Sequence, residues 1–181
     1  MPAVSADADA CGYAPEMGVS KLLSSGAIPM AGQAYSISTA AELSDFATYV
    51  NNGGNTIDVI FYLTNDIRLS EDAEWTPIGS ALSCAFSGTF DGCGFAVLGL
   101  THTERINNIG LFGYVGVSGK IFNLGVNGSI TASTNVGGIA AYLNGGIIAD
   151  KEQRVDNNTL IDRLTLSRPE ASREDLIKMN N

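Results

Sequence analysis

One nine-residue phrase recurs three times between residues 86 and 149, and its spacing leaves few architectures open. The copies are Phe86-Ser-Gly-Thr-Phe-Asp-Gly-Cys-Gly94, Leu111-Phe-Gly-Tyr-Val-Gly-Val-Ser-Gly119 and Gly138-Ile-Ala-Ala-Tyr-Leu-Asn-Gly-Gly146. They start 25 and then 27 residues apart, and the third stops in mid-rung. A period of that length, built from short apolar runs and glycine turns, is the mark of a solenoid. A helical reading fails, because glycine at this density costs about 1 kcal/mol per position in a helix.

The runs Phe95 to Leu100, Gly110 to Val115, Lys120 to Val126 and Val136 to Leu143 read as strands. Asn108, Asn123, Asn127, Asn135 and Asn144 fall at or near turns, where Asn tolerates positive φ. Glycines inside the runs (Gly99, Gly125, Gly137) make sense where backbones approach closely. The expected core ladder is Phe86, Phe90, Leu98, Leu111, Phe112, Leu124 and Ile139, with Leu111 and Phe112 pointing to opposite sides.

Ahead of the repeats, Thr39-Ala-Ala-Glu42 has capping-box spacing. Leu43, Phe46, Ala47 and Val50 then form one apolar stripe, and Asn51-Asn-Gly53-Gly54 supplies a stop. A helix over 39–52 is expected to cover the N-terminal end of the solenoid, which needs an atypical end element. Two strands should follow, at Ile57 to Leu63 and around Ile67 and Leu69.

Charge narrows the function classes. The net charge is −9, and four basic residues (Lys21, Arg68, Arg105, Lys120) serve the first 149 positions. Phosphate binding needs clustered Lys and Arg, so nucleic acid is not an expected partner. No apolar run approaches the ~20 residues that span a bilayer, so no membrane insertion is expected. Residues 1–35 read as a flexible leader, either the remnant of a longer signal peptide or a small-residue extension. Cys84 and Cys93 are near enough in sequence to bridge, leaving Cys11 over; three buried small hydrophobes is the other reading.

Residues 150–181 hold 13 of the 29 charged residues and none of the 21 glycines, which marks a boundary. Ser167-Arg-Pro-Glu170 resembles a capping box, and a partly helical tail is expected. Its acids do not follow calcium-loop spacing, with Arg154 where an acid is wanted.

The carboxylates available for catalysis are scattered: Asp58, Asp66, an acidic loop of Glu71, Asp72 and Glu74, and Asp91 in a turn. His102 is the single histidine, with Glu104 two residues on. No nucleophile elbow, phosphate loop, dinucleotide fingerprint or zinc motif is present. No catalytic, cofactor or metal residue is assigned on this pattern.

Taken in order, Thr39-Ala-Ala-Glu-Leu43, Trp75-Thr-Pro-Ile-Gly79, Phe86-Ser-Gly-Thr-Phe-Asp-Gly92, Gly110-Leu-Phe-Gly-Tyr-Val115, Asn123-Leu-Gly-Val126 and Val136-Gly-Gly-Ile139 form a series. It resembles the GLUG-motif repeat proteins of bacterial secreted and cell-surface chains over roughly residues 36–149. The resemblance implies an all-β fold, a right-handed parallel β-helix of about three coils, with a secreted or cell-surface setting. It also implies a non-catalytic scaffold or adhesive role. Partners would be a host or cell-wall glycan or protein. Cys93 stands where the family usually has Asn, and Ala141 where it usually has Gly. The alternative on the same fold is a carbohydrate-binding or carbohydrate-cleaving β-helix. The repeat ends at Ala149 without a successor strand, so self-association through an open last coil is also expected.

Overall fold

The computed structural model describes residues 11–13, 17–70, 72–104 and 107–150. The expected tail helices lie outside these residues. Within them the chain is all-β in the main, with two helices. In order, the elements are β1 (Met17–Gly18), α1 (Val19–Ser24), β2 (Ala34–Ile37), α2 (Ala40–Asn51), β3 (Ile60–Leu63) and β4 (Ile67–Arg68). A 3-10 turn at Leu82–Cys84 precedes β5 (Thr89–Asp91), β6 (Ala96–His102), β7 (Asn107–Ile109), β8 (Phe112–Val115) and β9 (Lys120–Phe122). The last four strands are β10 (Gly125–Ile130), β11 (Thr134–Val136), β12 (Ala140–Leu143) and β13 (Ile147–Ala149).

Every strand pairing is parallel. The longest sheet runs β1-β2-β3-β5-β9-β13, and the smaller ones are β10-β6-β4, β11-β7 and β12-β8. Successive passes of the chain therefore lay like strands beside like. One column of partners runs Tyr35, Phe61, Phe90, Ile121, Ile148 across five strands. Its first four members are 0–5% exposed, and Ile148, on the edge strand of this sheet among the described residues, is 38% exposed. A second column, Ile67–Val97–Val126, lines the opposite sheet.

The register differs from the phrase alignment. Phe86 pairs with Val115, not Leu111, while Phe112 pairs with Ile78 on one side and Ala140 on the other. Sequence likeness alone matches segments that do not pair with each other. Leu111 and Phe112 are both buried rather than split. Leu98, Leu124 and Ile139 are only half-buried, and Val97, Leu100 and Ile121 take the core positions. The run 120–126 breaks at Asn123 (φ 49°) into β9 and β10. Asn108 and Asn135 share that left-handed conformation, as their turn chemistry requires. Two glycines are dictated by geometry. Gly79 (φ +71°) closes the Trp75–Gly79 motif so tightly that an added Cβ would sit 2.6 Å from the Tyr114 carbonyl oxygen. Gly99 (φ +75°) forms the bulge where β6 slips against Asn127 and Gly128 of β10.

Helix α2 follows its sequence signal. The Thr39 hydroxyl accepts from Glu42 N at 3.1 Å, and the Glu42 carboxylate accepts from Ser38 N at 2.7 Å. The reciprocal bond thus reaches one residue further back than in the ideal box. Leu43, Phe46, Ala47 and Val50 are buried. The Phe46 ring lies 4.3 Å from Phe61 and 6.0 Å from both Phe86 and Phe90.

Two expectations need correction. Residues 57–59 form a turn with Asp58 at φ 58°, so the first strand begins only at Ile60. Residues 17–24 are ordered as β1 and α1, which buries Val19 and Leu22 and packs on α2. The sequence hides α1 because it is short and its cap, Gly18, has no side chain.

Candidate functional site

A heavily bonded polar group sits at the end of β5. Alternation sends Phe90 into the core, and the turn after it draws Asp91 in as well, to 1% exposure. Its Oδ1 accepts from Cys93 N at 3.0 Å and from Asn123 Nδ2 at 2.9 Å, and its Oδ2 accepts from the Tyr13 hydroxyl at 2.9 Å. These donors engage both carboxylate oxygens and fix the turn, so Asp91 organises local structure.

Cysteine pairing departs from the sequence reading. Cys11 joins Cys93 with a Cα–Cα distance of 5.4 Å, and Cys84 is free. The reading of all three as buried small hydrophobes also fails. Cys93 adopts φ 54°, a left-handed conformation uncommon for a residue other than glycine. The bridge ties the N-terminal segment across Asp91 and sets Tyr13 against Tyr62, with ring centroids 4.8 Å apart. Ligand atoms of Cys11, Asp91 and Cys93 lie within 4.8 Å of one another. The two sulfurs are bonded to each other and offer no thiolate to a metal.

The other ionisable cluster joins His102 and Glu74. His102 ends β6 and is buried, with Nδ1 3.1 Å from the Glu74 carboxylate, a close approach without aligned hydrogen-bond geometry. Glu74 accepts from Thr103 N at 2.8 Å and from the Thr103 hydroxyl. These Thr103 bonds, with His102 adding a smaller pull, hold the Glu74 carboxyl below the usual carboxylate range. A nucleophilic triad needs a hydroxyl donating to the histidine, and here the hydroxyl donates to the acid. Because the folded value is lowered, the tie is intact above the ordinary carboxylate range and is lost as pH falls through the folded value. The protection factor of the Thr103 amide, its exchange rate corrected for the intrinsic pH dependence of amide exchange, should therefore fall on acidification, and Glu74→Gln should remove that change.

The remaining candidates do not converge on either cluster through any bond among the described residues. Asp58 is an exposed turn residue, and Asp66 accepts from Ala96 N at 2.9 Å. Asp72 and Glu104 are exposed, and Glu71 lies outside the described residues. Sequence reasoning missed a small cleft of about 280 Å³ between α2 and the segment 69–76, lined by Ser44, Thr48, Asn51, Glu74 and Trp75. Asn51 braces it, donating to Pro77 O at 3.0 Å and accepting from Ser80 N at 2.8 Å. The Trp75 indole donates to Leu111 O at 3.1 Å and is buried, so it presents no open aromatic platform.

The last strands, β10 to β13, carry a further exposed surface. Val136, Tyr142, Leu143, Ile147 and Ile148 are 38–52% exposed there, and β10, β11, β12 and β13 each stand at a sheet edge. Among the described residues, no helix is long and apolar enough to cross a membrane.

No family model matches the chain, and no solved structure matches it. Two known proteins are similar to it. Halomucin of Haloquadratum walsbyi is 36% identical over 107 residues, covering 54% of this chain and 1% of Halomucin. A protein of Evansella cellulosilytica named as a Gly-rich membrane protein is 30% identical over 118 residues, covering 61% of this chain and 13% of that protein. The chain spans a small fraction of each.

Proposed function

We propose that the chain is a right-handed parallel β-helix of about three coils, of the GLUG-motif type, acting as a non-catalytic scaffold or adhesive spacer. The observation that supports this reading is the in-register column from Tyr35 to Ile148, the stacking that a rod of short repeats would use. Its polar groups support the same reading, since Asp91 and Glu74 are committed to structural bonds. A secreted or surface setting fits the Cys11–Cys93 disulfide, because such bonds persist in oxidising compartments. It also fits the names of the two similar proteins. The partner in this reading is a glycan or protein of a host or cell wall.

The cleft beside α2 favours a second reading, a carbohydrate-binding or carbohydrate-cleaving β-helix, since hydroxyls, an amide and a carboxylate line it. Glycan-array binding combined with an assay for released reducing ends separates the two. The scaffold reading expects no turnover. Reducing ends that appear with the parent protein and vanish in a folded Glu74→Gln variant would replace it with the enzyme.

A further inference from the structure

The last coil combines three properties that rarely occur together. Among the described residues its strands have no partner on the outer edge, Val136, Tyr142, Leu143, Ile147 and Ile148 are exposed there, and residues 121–149 contain no Asp, Glu, Lys, Arg or His. Native sheets usually blunt such an edge with charge or proline, and this one has neither. The chain as a whole carries −9, so the absence of charge here is local.

We infer that this face binds a second copy of the chain, end to end about a two-fold axis. A two-fold contact sets each patch against itself, so any charge on it would meet its own like charge. A patch without charge has no such penalty, while contact elsewhere on an acidic chain would carry one. Among the described residues the opposite end does not offer an equivalent edge, because its strands β1 and β4 have two residues each and β1 leads directly into α1, which packs on α2. Head-to-tail growth is therefore blocked, and the contact closes as a dimer. A two-fold axis places β13 antiparallel to its copy, and antiparallel pairing satisfies the free N–H and C=O groups of that edge.

The columns supply the matching surface. Ile148 continues Tyr35–Phe61–Phe90–Ile121, and Tyr142 lies over Tyr114 with ring centroids 5.5 Å apart. Asn135 donates to Asn108 at 2.7 Å, repeating the turn of the coil beneath. The rival occupant is the chain's own segment 151–181. Its seven acidic and six basic residues from 150 onward match an uncharged apolar face poorly. This inference rests on the edge and its charge pattern, and it stands whether or not the scaffold reading does.

The test is sedimentation velocity of the full chain over a hundredfold concentration range without reductant. The expected result is a monomer–dimer equilibrium that Ile148→Lys and Leu143→Lys each weaken by roughly tenfold or more, as a buried pair of like charges demands. Met30→Lys, at an exposed position far in sequence from the last coil, should leave it unchanged. Circular dichroism confirms that each variant is folded. A monomer throughout the range overturns the inference; amide protection of β13 in that monomer would assign the face to segment 151–181. A dimer equally stable in both lysine variants also overturns it.

Discussion

Opening the Cys11–Cys93 disulfide, by reductant or by replacing both cysteines with serine, is expected to destabilise the fold by roughly 2–5 kcal/mol. The bond joins residues 82 apart, for which loop-closure entropy alone gives about 4.5 kcal/mol. The loss has a local component too. Tyr13 would no longer be held over Asp91, so the carboxylate would lose a donor, and the Tyr13–Tyr62 ring contact would open. Urea unfolding of a Cys84→Ser background, with and without reductant, measures this without thiol exchange from the third cysteine. A shift under about 1 kcal/mol would mean that the bridge does not close a large loop in the folded protein.

Phe46→Ala is the second large effect, expected at about 3–5 kcal/mol. The ring is fully buried and touches three phenylalanines from two strands and a connecting segment, so its removal leaves a cavity that no single side chain can fill. Leu43→Asp should be comparably severe, because it places an unpaired carboxylate at a 0% exposed position. Equilibrium unfolding checks both. If either variant were as stable as the parent, α2 would not be part of the core.

Helix α2 and its buried face were legible because a capping box and a three-to-four periodicity are local signals, complete within a dozen residues. The alternation that made short strands was equally local. Register was not. Phe86-Ser-Gly and Leu111-Phe-Gly look alike, yet parallel pairing is decided by which coil lies beside which, and Phe86 meets Val115. The cysteine pairing failed for a related reason. Cys84 and Cys93 are close in the chain, but β5 runs between them and carries Cys93 towards Cys11. The polar assembly at Asp91 takes donors from residues 13, 93 and 123, a convergence that only the fold creates.

The most direct test is inter-strand nuclear Overhauser contacts along the main column. Stacked parallel coils predict amide-to-Hα contacts linking Phe61 with Phe90 and Phe90 with Ile121, in the one-directional pattern of parallel strands. They also predict contacts joining Phe86 to Val115. Close Hα–Hα pairs between these strands, or contacts joining Phe86 to Leu111 instead, would contradict the account.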